Sequence, residues 1–220
     1  MDARTTILDS VRKALASGAP PRQVGPGPAA AGAPPAMPAD AEGLFELFRD
    51  RLREVGGNVE RAADPAGIRD AFAHVLRTHG AKKVWIASSP FLDPLDLESV
   101  CRATGAERSR VPPSAKPLDL DVSVTGADLA VAETGSVAHL AKPGDGRSFS
   151  LLATVHVAIL PLARIVPDLD AYLRWLEPIA AEGNRSCATL ITGPSRTGDI
   201  EMILTMGVHG PKATYALVLG

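Results

Sequence analysis

Cysteine is scarce in this chain, which has 220 residues and only two cysteines, Cys101 and Cys187. Neither belongs to a Cys-x-x-Cys pair or to a Cys/His spacing typical of metal sites. We therefore expect neither a disulfide framework nor a metal site, and a reducing cytoplasm fits best. We interpret Cys101 as a small buried residue.

An excess of charge of one sign is also missing, since the formal net charge is -2 and the isoelectric point is about 6.2. The basic surface that nonspecific nucleic-acid binding needs is therefore not expected. No apolar run approaches the length of about 18 residues that a membrane helix requires, and the N-terminus lacks the apolar core of a signal peptide. We expect a cytoplasmic protein without a membrane span.

Several well-known site motifs are absent. The chain has no Gly-x-Gly-x-x-Gly fingerprint, no P-loop lysine motif and no Gly-x-Ser-x-Gly elbow. No cofactor is predicted on this basis, and nothing marks Ser195 as a nucleophile.

The composition that remains, 45% apolar and 22% charged, is ordinary for a globular domain. We expect an amphipathic helix over residues 1–17, a linker rich in Pro, Ala and Gly over 18–39, and one domain over 40–220. The apolar residues of the first helix recur at helical spacing: Ile7, Leu8, Val11 and Leu15. This helix either packs on its own domain or docks on a partner or on a second copy in a homo-oligomer.

Helical and strand patterns alternate from residue 40 onwards. A helix stopped by Gly56-Gly57 precedes a short strand near residues 58–61, and Asp64 with Pro65 begins the next helix. The apolar strand over 83–88 follows. This order predicts an α/β fold with an open, mainly parallel sheet and helices on both faces.

The stretch from Gly193 to Pro211 follows the apolar strand 188–192 and is dense in polar groups. Its first part carries hydroxyls, a guanidinium and carboxylates: Gly193, Ser195, Arg196, Thr197, Asp199 and Glu201. Ligands of open α/β sheets lie outside the carboxyl ends of strands, so we expect a site here for a small organic acid or phosphate. The two carboxylates leave two readings open, because they either neutralise Arg196 or cap the next turn.

The turn at Gly207–Pro211 adds His209 and Gly210 to this region. A histidine in a glycine-rich turn suits a general acid or base.

A second cluster of polar residues lies at the end of another apolar run: Glu133, Thr134, Gly135 and Ser136. Glu133 there suits a base, a nucleophile or a partner of a substrate hydroxyl. The alternative is that Glu133 and Thr134 satisfy backbone groups at a bend.

Two further residues are ambiguous. Arg147 precedes an apolar run that we predict to be a strand, and it either pairs with an anionic ligand or lies in a surface turn. His156 lies within that run and is either a site residue or a hydrogen-bonded core residue.

These motifs together resemble the LUD family over about residues 40–220. The resemblance rests on five segments: 132–137, Arg147-Ser148, 154–156, 193–201 and 207–211. Glu133 stands where family members often have Asp, and Gly198 where Ala is common.

The resemblance implies a fold like that of the NagB/RpiA/CoA-transferase superfamily. It also implies a role in oxidising L-lactate to pyruvate together with two partners, one of them an iron–sulfur protein. We expect a non-redox subunit, because two cysteines are fewer than the four that usually hold a cluster. Two alternatives stay open: an independent enzyme acting on acyl or sugar-phosphate substrates through Glu133, and a metabolite sensor without catalysis.

Overall fold

A computed structural model describes residues 3–16, 37–109, 120–142, 146–182, 187–197, 205–207 and 209–220. The chain divides into two compact units, Met1–Ala36 and Met37–Gly220. In the first unit the structure describes one helix, α1 (Ala3–Ala16). Its apolar residues Ile7, Leu8 and Val11 are exposed, Ile7 to 64%.

The second unit contains two main sheets, a short hairpin, five α-helices and two short 3₁₀ helices, Asp93–Leu95 and Leu162–Arg164, among its described residues. Its helices are α2 (Ala41–Glu54), α3 (Pro65–Thr78), α4 (Leu97–Thr104), α5 (Phe149–Leu152) and α6 (Leu169–Ala181). Its strands are β1 (Asn58–Ala62), β2 (Lys83–Ile86), β3 (Glu107–Arg108), β4 (Val122–Gly126), β5 (Leu129–Val131), β6 (Ser136–Leu140), β7 (Val155–Pro161), β8 (Ile165–Val166), β9 (Ala188–Ile191), β10 (Arg196–Thr197), β11 (Thr205–Met206) and β12 (Ala213–Leu219).

The main sheet has six parallel strands in the order β1-β12-β7-β4-β2-β3. Its central strands are buried on both sides, which explains why the sequences of β7 and β12 are mostly apolar. Alternation along β7 assigns Val157 to one face and Ala158 to the other. Val157 joins a core cluster with Phe72 of α3 and Val100 of α4, whereas Ala158 joins a cluster with Phe48 of α2. Helices therefore cover both faces, which confirms the predicted fold class.

The helix ends follow the sequence signals. Asp64 is the N-cap of α3, and its carboxylate accepts a hydrogen bond of 2.8 Å from the Gly67 nitrogen. At the end of α2, Gly56 has a φ of +84°, and the Gly57 nitrogen donates to the Leu52 carbonyl at 2.9 Å. This is the Schellman ending, which needs a residue that tolerates positive φ.

The second sheet was not anticipated. It has four strands in the order β8-β5-β6-β9, and β9 pairs antiparallel with β6. Ala130 of β5 belongs to the core cluster of α2, while its neighbours Leu129 and Val131 pack with Tyr172 of α6. The small sheet is thus a layer between α6 on one side and the α2 cluster on the other.

The structure differs from the sequence-based expectation in two places that concern the site. The segment after Ser148 begins with the short helix α5 rather than a strand, and β7 starts only at Val155. The strand before Gly193 belongs to the small mixed sheet and pairs antiparallel with β6, so the loop that follows it does not leave the carboxyl end of a parallel strand.

Candidate functional site

The two polar stretches predicted from the sequence meet in the structure. Thr134 and Ser136 share a hydroxyl–hydroxyl hydrogen bond of 2.8 Å, and Ser136 and Thr192 share one of 2.7 Å. Val137 pairs with Ile191 across β6 and β9, and this register brings Ser136 and Thr192 side by side. We call Glu133–Ser136 together with Thr192–Arg196 the loop cluster.

The glycines of the loop cluster lie directly against the last turn of α2. Gly135 has a φ of +63°, and an added Cβ would overlap the Leu52 nitrogen and lie 2.6 Å from the Arg51 carbonyl carbon. Gly193 has a φ of +81°, and its Cβ would lie 2.9 Å from the Val55 carbonyl oxygen. Both positions require glycine for conformation and for space.

Arg196 is exposed and extends towards the same helix end. Its guanidinium lies so close to Gly56 that a Cβ there would overlap Nη2. The carboxyl end of a helix carries partial negative charge, so this position favours a cation without any ligand. Arg196 therefore interacts with the carboxyl end of α2 and also exposes part of its surface.

Ser195 ties the loop cluster to the turn before β12. Its nitrogen donates to the Pro211 carbonyl, and its carbonyl accepts from the Gly207 nitrogen, both at 2.9 Å. An added Cβ at Gly210 would lie 3.2 Å from the Ser195 Cβ. Ser195 and Gly210 are thus neighbours. Thr197 pairs through its backbone with Thr205 in the β10–β11 hairpin.

Glu133 makes contacts typical of a structural residue. Its Oε2 accepts a hydrogen bond of 3.2 Å from the Leu169 nitrogen at the start of α6. Its own nitrogen donates to the Pro167 carbonyl at 2.9 Å. A carboxylate at a helix amino end is stabilised by the helix dipole. The geometry agrees with the reading in which Glu133 satisfies backbone groups at a bend.

His209 lines a cavity of about 450 Å³, which we call the His209 cavity. Its lining residues precede β7 and β12: Leu151, Leu152, Ala153, Thr154, Gly207, His209, Gly210 and Lys212. His209 and Lys212 are exposed. Among the described contacts none joins His209 to Glu133, so the two catalytic candidates are not brought together there.

His156 is a core residue. It is 1% exposed, and its Nε2 is 2.9 Å from the Thr125 hydroxyl. Burial, with a smaller contribution from nearby His139, lowers the pKa of His156 to about 3, so its ring is neutral at neutral pH. Ser123 and Thr214 flank it in register on β4 and β12.

Arg147 is exposed in the turn before α5, where its carbonyl accepts a hydrogen bond from Ser150. The two acidic candidates Asp199 and Glu201 lie outside the described residues.

A third region, which contains none of the site residues predicted from the sequence, lies at the carboxyl ends of β2, β4 and β7. It is a cavity of about 380 Å³ lined by Ser89, Pro90, Phe91, Gly126, Ala127, Asp128, Lys142 and Arg164. We call it the carboxyl-edge pocket. The ends of neighbouring parallel strands are where open α/β sheets bind ligands.

The charged groups of this pocket are held by specific contacts. Asp128 pairs with the Lys142 ammonium through Oδ1 and accepts a 2.9 Å hydrogen bond from the Leu140 nitrogen through Oδ2. Arg164 donates to the Ala127 carbonyl at 3.2 Å, and its guanidinium carbon lies 5.8 Å from the centre of the Phe91 ring.

A sequence signal for this pocket exists. Asp128 is the second residue after β4, and Arg164 follows β7 within one turn. The rule that places ligands at the carboxyl ends of parallel strands selects these positions once the parallel strands are known.

Within the described ranges, no group of three or more His, Cys, Asp or Glu side chains is placed to hold a metal ion. No helix in the described part of the chain is long and apolar enough to cross a membrane.

Comparison with known proteins identifies relatives of this chain. It is 41% identical over 187 residues to lactate utilization protein C of Macrococcus caseolyticus, covering 80% of this chain and 78% of that protein. It is 43% identical over 183 residues to lactate utilization protein C of Bacillus subtilis, covering 81% of this chain and 70% of that protein. The protein of the same name from Halalkalibacterium halodurans is 37% identical over 160 residues, with 69% of each chain covered.

A crystal structure of a DUF162 family protein from Deinococcus radiodurans has a similar fold. The two superpose with a TM-score of 0.63 at 21% identity, covering 83% of this chain and 100% of that one. Residues 45–219 match the family described as the LUD domain. The chain therefore belongs to the LUD domain family.

Proposed function

We propose that this chain is a subunit of a system that oxidises L-lactate to pyruvate, and that it handles the small organic acid rather than the electrons. The observation that carries this proposal is the similarity, over 80% and 81% of the chain, to relatives named for lactate utilisation.

The redox step is assigned to another subunit. Oxidation of lactate breaks the Cα–H and O–H bonds and releases a pair of electrons and two protons. An iron–sulfur cluster usually takes four cysteine ligands, whereas this chain has two cysteines. Burial also raises the pKa of the Cys101 thiol to about 11, which disfavours the thiolate that binds metals. We therefore assign the electron acceptor to an iron–sulfur partner.

Cationic side chains near cavities support an anionic ligand. Arg196 and Lys212 are exposed near the loop cluster and the His209 cavity, and Lys142 and Arg164 line the carboxyl-edge pocket. Docking to the partner subunit has a candidate surface in α1, whose Ile7, Leu8 and Val11 are exposed.

Deletion of the gene in the source organism tests this proposal. We expect the deletion strain to grow normally on glucose and to lose growth on L-lactate as sole carbon source. A plasmid copy of the chain should restore growth, and a tagged copy should co-purify with an iron–sulfur protein. Normal growth of the deletion strain on L-lactate would overturn the proposed role.

A further inference from the structure

The carboxyl-edge pocket is assembled from segments that are distant in sequence. Ser89, Pro90 and Phe91 follow β2, residues 126–128 end or follow β4, and Arg164 follows β7. Because these three strands are parallel neighbours, their following loops meet at one edge of the sheet. The pocket is therefore a product of the topology, like the ligand clefts of other open sheets.

Lys142 is held at this edge by a carboxylate that is itself fixed. The Asp128 side chain is only 12% exposed, and its two oxygens contact Lys142 and the Leu140 nitrogen. The Asp128 nitrogen also donates to the Ala138 carbonyl at 2.8 Å. An ammonium anchored in this way loses little freedom when it binds an anion.

Arg164 is oriented in a similar manner. A guanidinium has five N–H donors, and the hydrogen bond to Ala127 uses only part of this capacity. The aromatic face of Phe91 restricts the guanidinium plane from one side. The remaining donors suit the two oxygens of a carboxylate.

Charge and size narrow the choice of ligand. Lys142 and Arg164 contribute two formal positive charges and Asp128 one negative charge, which leaves a net charge of about +1 to be matched by the ligand. A monocarboxylate supplies one negative charge, whereas a phosphate at neutral pH carries more. The volume of about 380 Å³ lies at the lower end of the range for ligand pockets.

We propose that the carboxyl-edge pocket binds a small monocarboxylate through Arg164 and Lys142, with Asp128 positioning Lys142 and the ring of Phe91 contacting the apolar end of the ligand. The choice of a 2-hydroxy or 2-oxo acid such as lactate or pyruvate rests on the proposed function. The preference for a small monoanion rests on the charges and volume of the pocket.

Calorimetric titration of the purified full chain with sodium L-lactate, sodium pyruvate and sodium acetate, and separately with inorganic phosphate, tests the assignment. We expect at least one monocarboxylate to bind more tightly than phosphate. Arg164→Gln should weaken that binding by about tenfold or more, because it removes a charged donor. Arg77→Gln, at an exposed position on α3, is the matched control and should leave the affinity unchanged.

A second variant tests the cavity without removing a charge. An added Cβ at Gly126 would meet Leu92 and Ser89 at 3.8 Å, which is ordinary contact distance. Gly126→Ala should therefore fold normally and weaken binding severalfold by taking up space beside the ligand. Unchanged binding in both Arg164→Gln and Gly126→Ala would overturn the assignment, as would tighter binding of phosphate than of every monocarboxylate tested.

The loop cluster provides the competing location. Loss of binding in Arg196→Gln with full binding in Arg164→Gln would move the acid site to the loop cluster and overturn the pocket assignment. The growth experiment tests the lactate role separately from the pocket. If acetate binds in the pocket and the deletion strain grows normally on L-lactate, the pocket assignment stands and the lactate role is rejected.

Discussion

The loop cluster and the carboxyl-edge pocket differ in how their residues are used. In the loop cluster, Gly135 and Gly193 lie against backbone atoms of α2, and the hydroxyl of Ser136 bonds to other hydroxyls. In the pocket, Lys142 and Arg164 line a cavity. The cluster has the more distinctive sequence, whereas the pocket brings three charged side chains to one cavity: Asp128, Lys142 and Arg164.

This difference shows that a distinctive motif has more than one physical cause. A glycine at positive φ against a backbone admits almost no substitution, so a tight packing contact produces as specific a pattern as a ligand site does. A charged pocket built from four segments that are distant in sequence leaves no continuous motif. Substitutions at Gly135 and Glu133 therefore distinguish a cluster that only packs from one whose residues also react.

The largest effect is expected from Gly135→Ala. The added Cβ would overlap the Leu52 backbone, and the left-handed conformation is itself unfavourable for alanine, so we expect a loss of about 3 kcal/mol or more in the free energy of unfolding. Urea denaturation followed by circular dichroism measures this free energy of unfolding.

Gly80→Ala is the matched control for this substitution. Gly80 also has positive φ, +56°, but an added Cβ there meets no atom within 4 Å among the described contacts. We expect only the conformational cost, about 1 kcal/mol. Equal losses in the two variants would contradict the conclusion that the loop cluster is packed against α2.

An intermediate effect is expected at His156, a sequence candidate that lies in neither region. Burial lowers its pKa from the ordinary 6.5 to about 3, so between these values the unfolded chain binds a proton that the folded chain does not. The stability contribution of the neutral ring is complete above pH 6.5. It decreases by about 1.4 kcal/mol for each pH unit as the pH falls towards 3.

His156→Gln removes this dependence. Urea denaturation at about pH 7.5 and pH 5 should show the gap in stability between wild type and variant narrowing by roughly 2 kcal/mol at the lower pH. His74→Gln, at an exposed position on α3, is measured in parallel as a control for the substitution itself. A constant gap for His156→Gln would mean that the His156 ring is protonated in the folded protein at pH 5.

The sequence was sufficient to predict features that depend on near neighbours. The N-cap of α3 and the glycine ending of α2 were both predicted correctly, because capping and positive φ are decided within a few residues. The parallel sheet was also predicted correctly from the alternation of helices and strands.

The pairing of strands could not be predicted from the sequence. The run 188–192 reads equally well as a strand of either sheet, and only its pairing with β6 shows that it is antiparallel. Because this run was interpreted as a strand of the parallel sheet, the site was predicted after it. Asp128 and Arg164, which follow parallel strands, were not predicted as site residues. Residues 149–152 are apolar enough for a strand, yet they form α5.

The smallest effect on stability, and the sharpest test of chemistry, is expected from Glu133→Gln. The Glu133 carboxylate accepts from the Leu169 nitrogen at the start of α6, and a glutamine carbonyl retains an acceptor there while removing the charge. We expect a loss of only about 0.5 kcal/mol in the free energy of unfolding.

If Glu133 were a base or a nucleophile, Glu133→Gln would abolish its reaction, because an amide neither takes a proton at neutral pH nor attacks a carbonyl. Lactate-dependent growth supported by Glu133→Gln should therefore equal that of wild type, and a variant that folds normally but fails to support growth would make Glu133 a reacting group and the loop cluster a catalytic site.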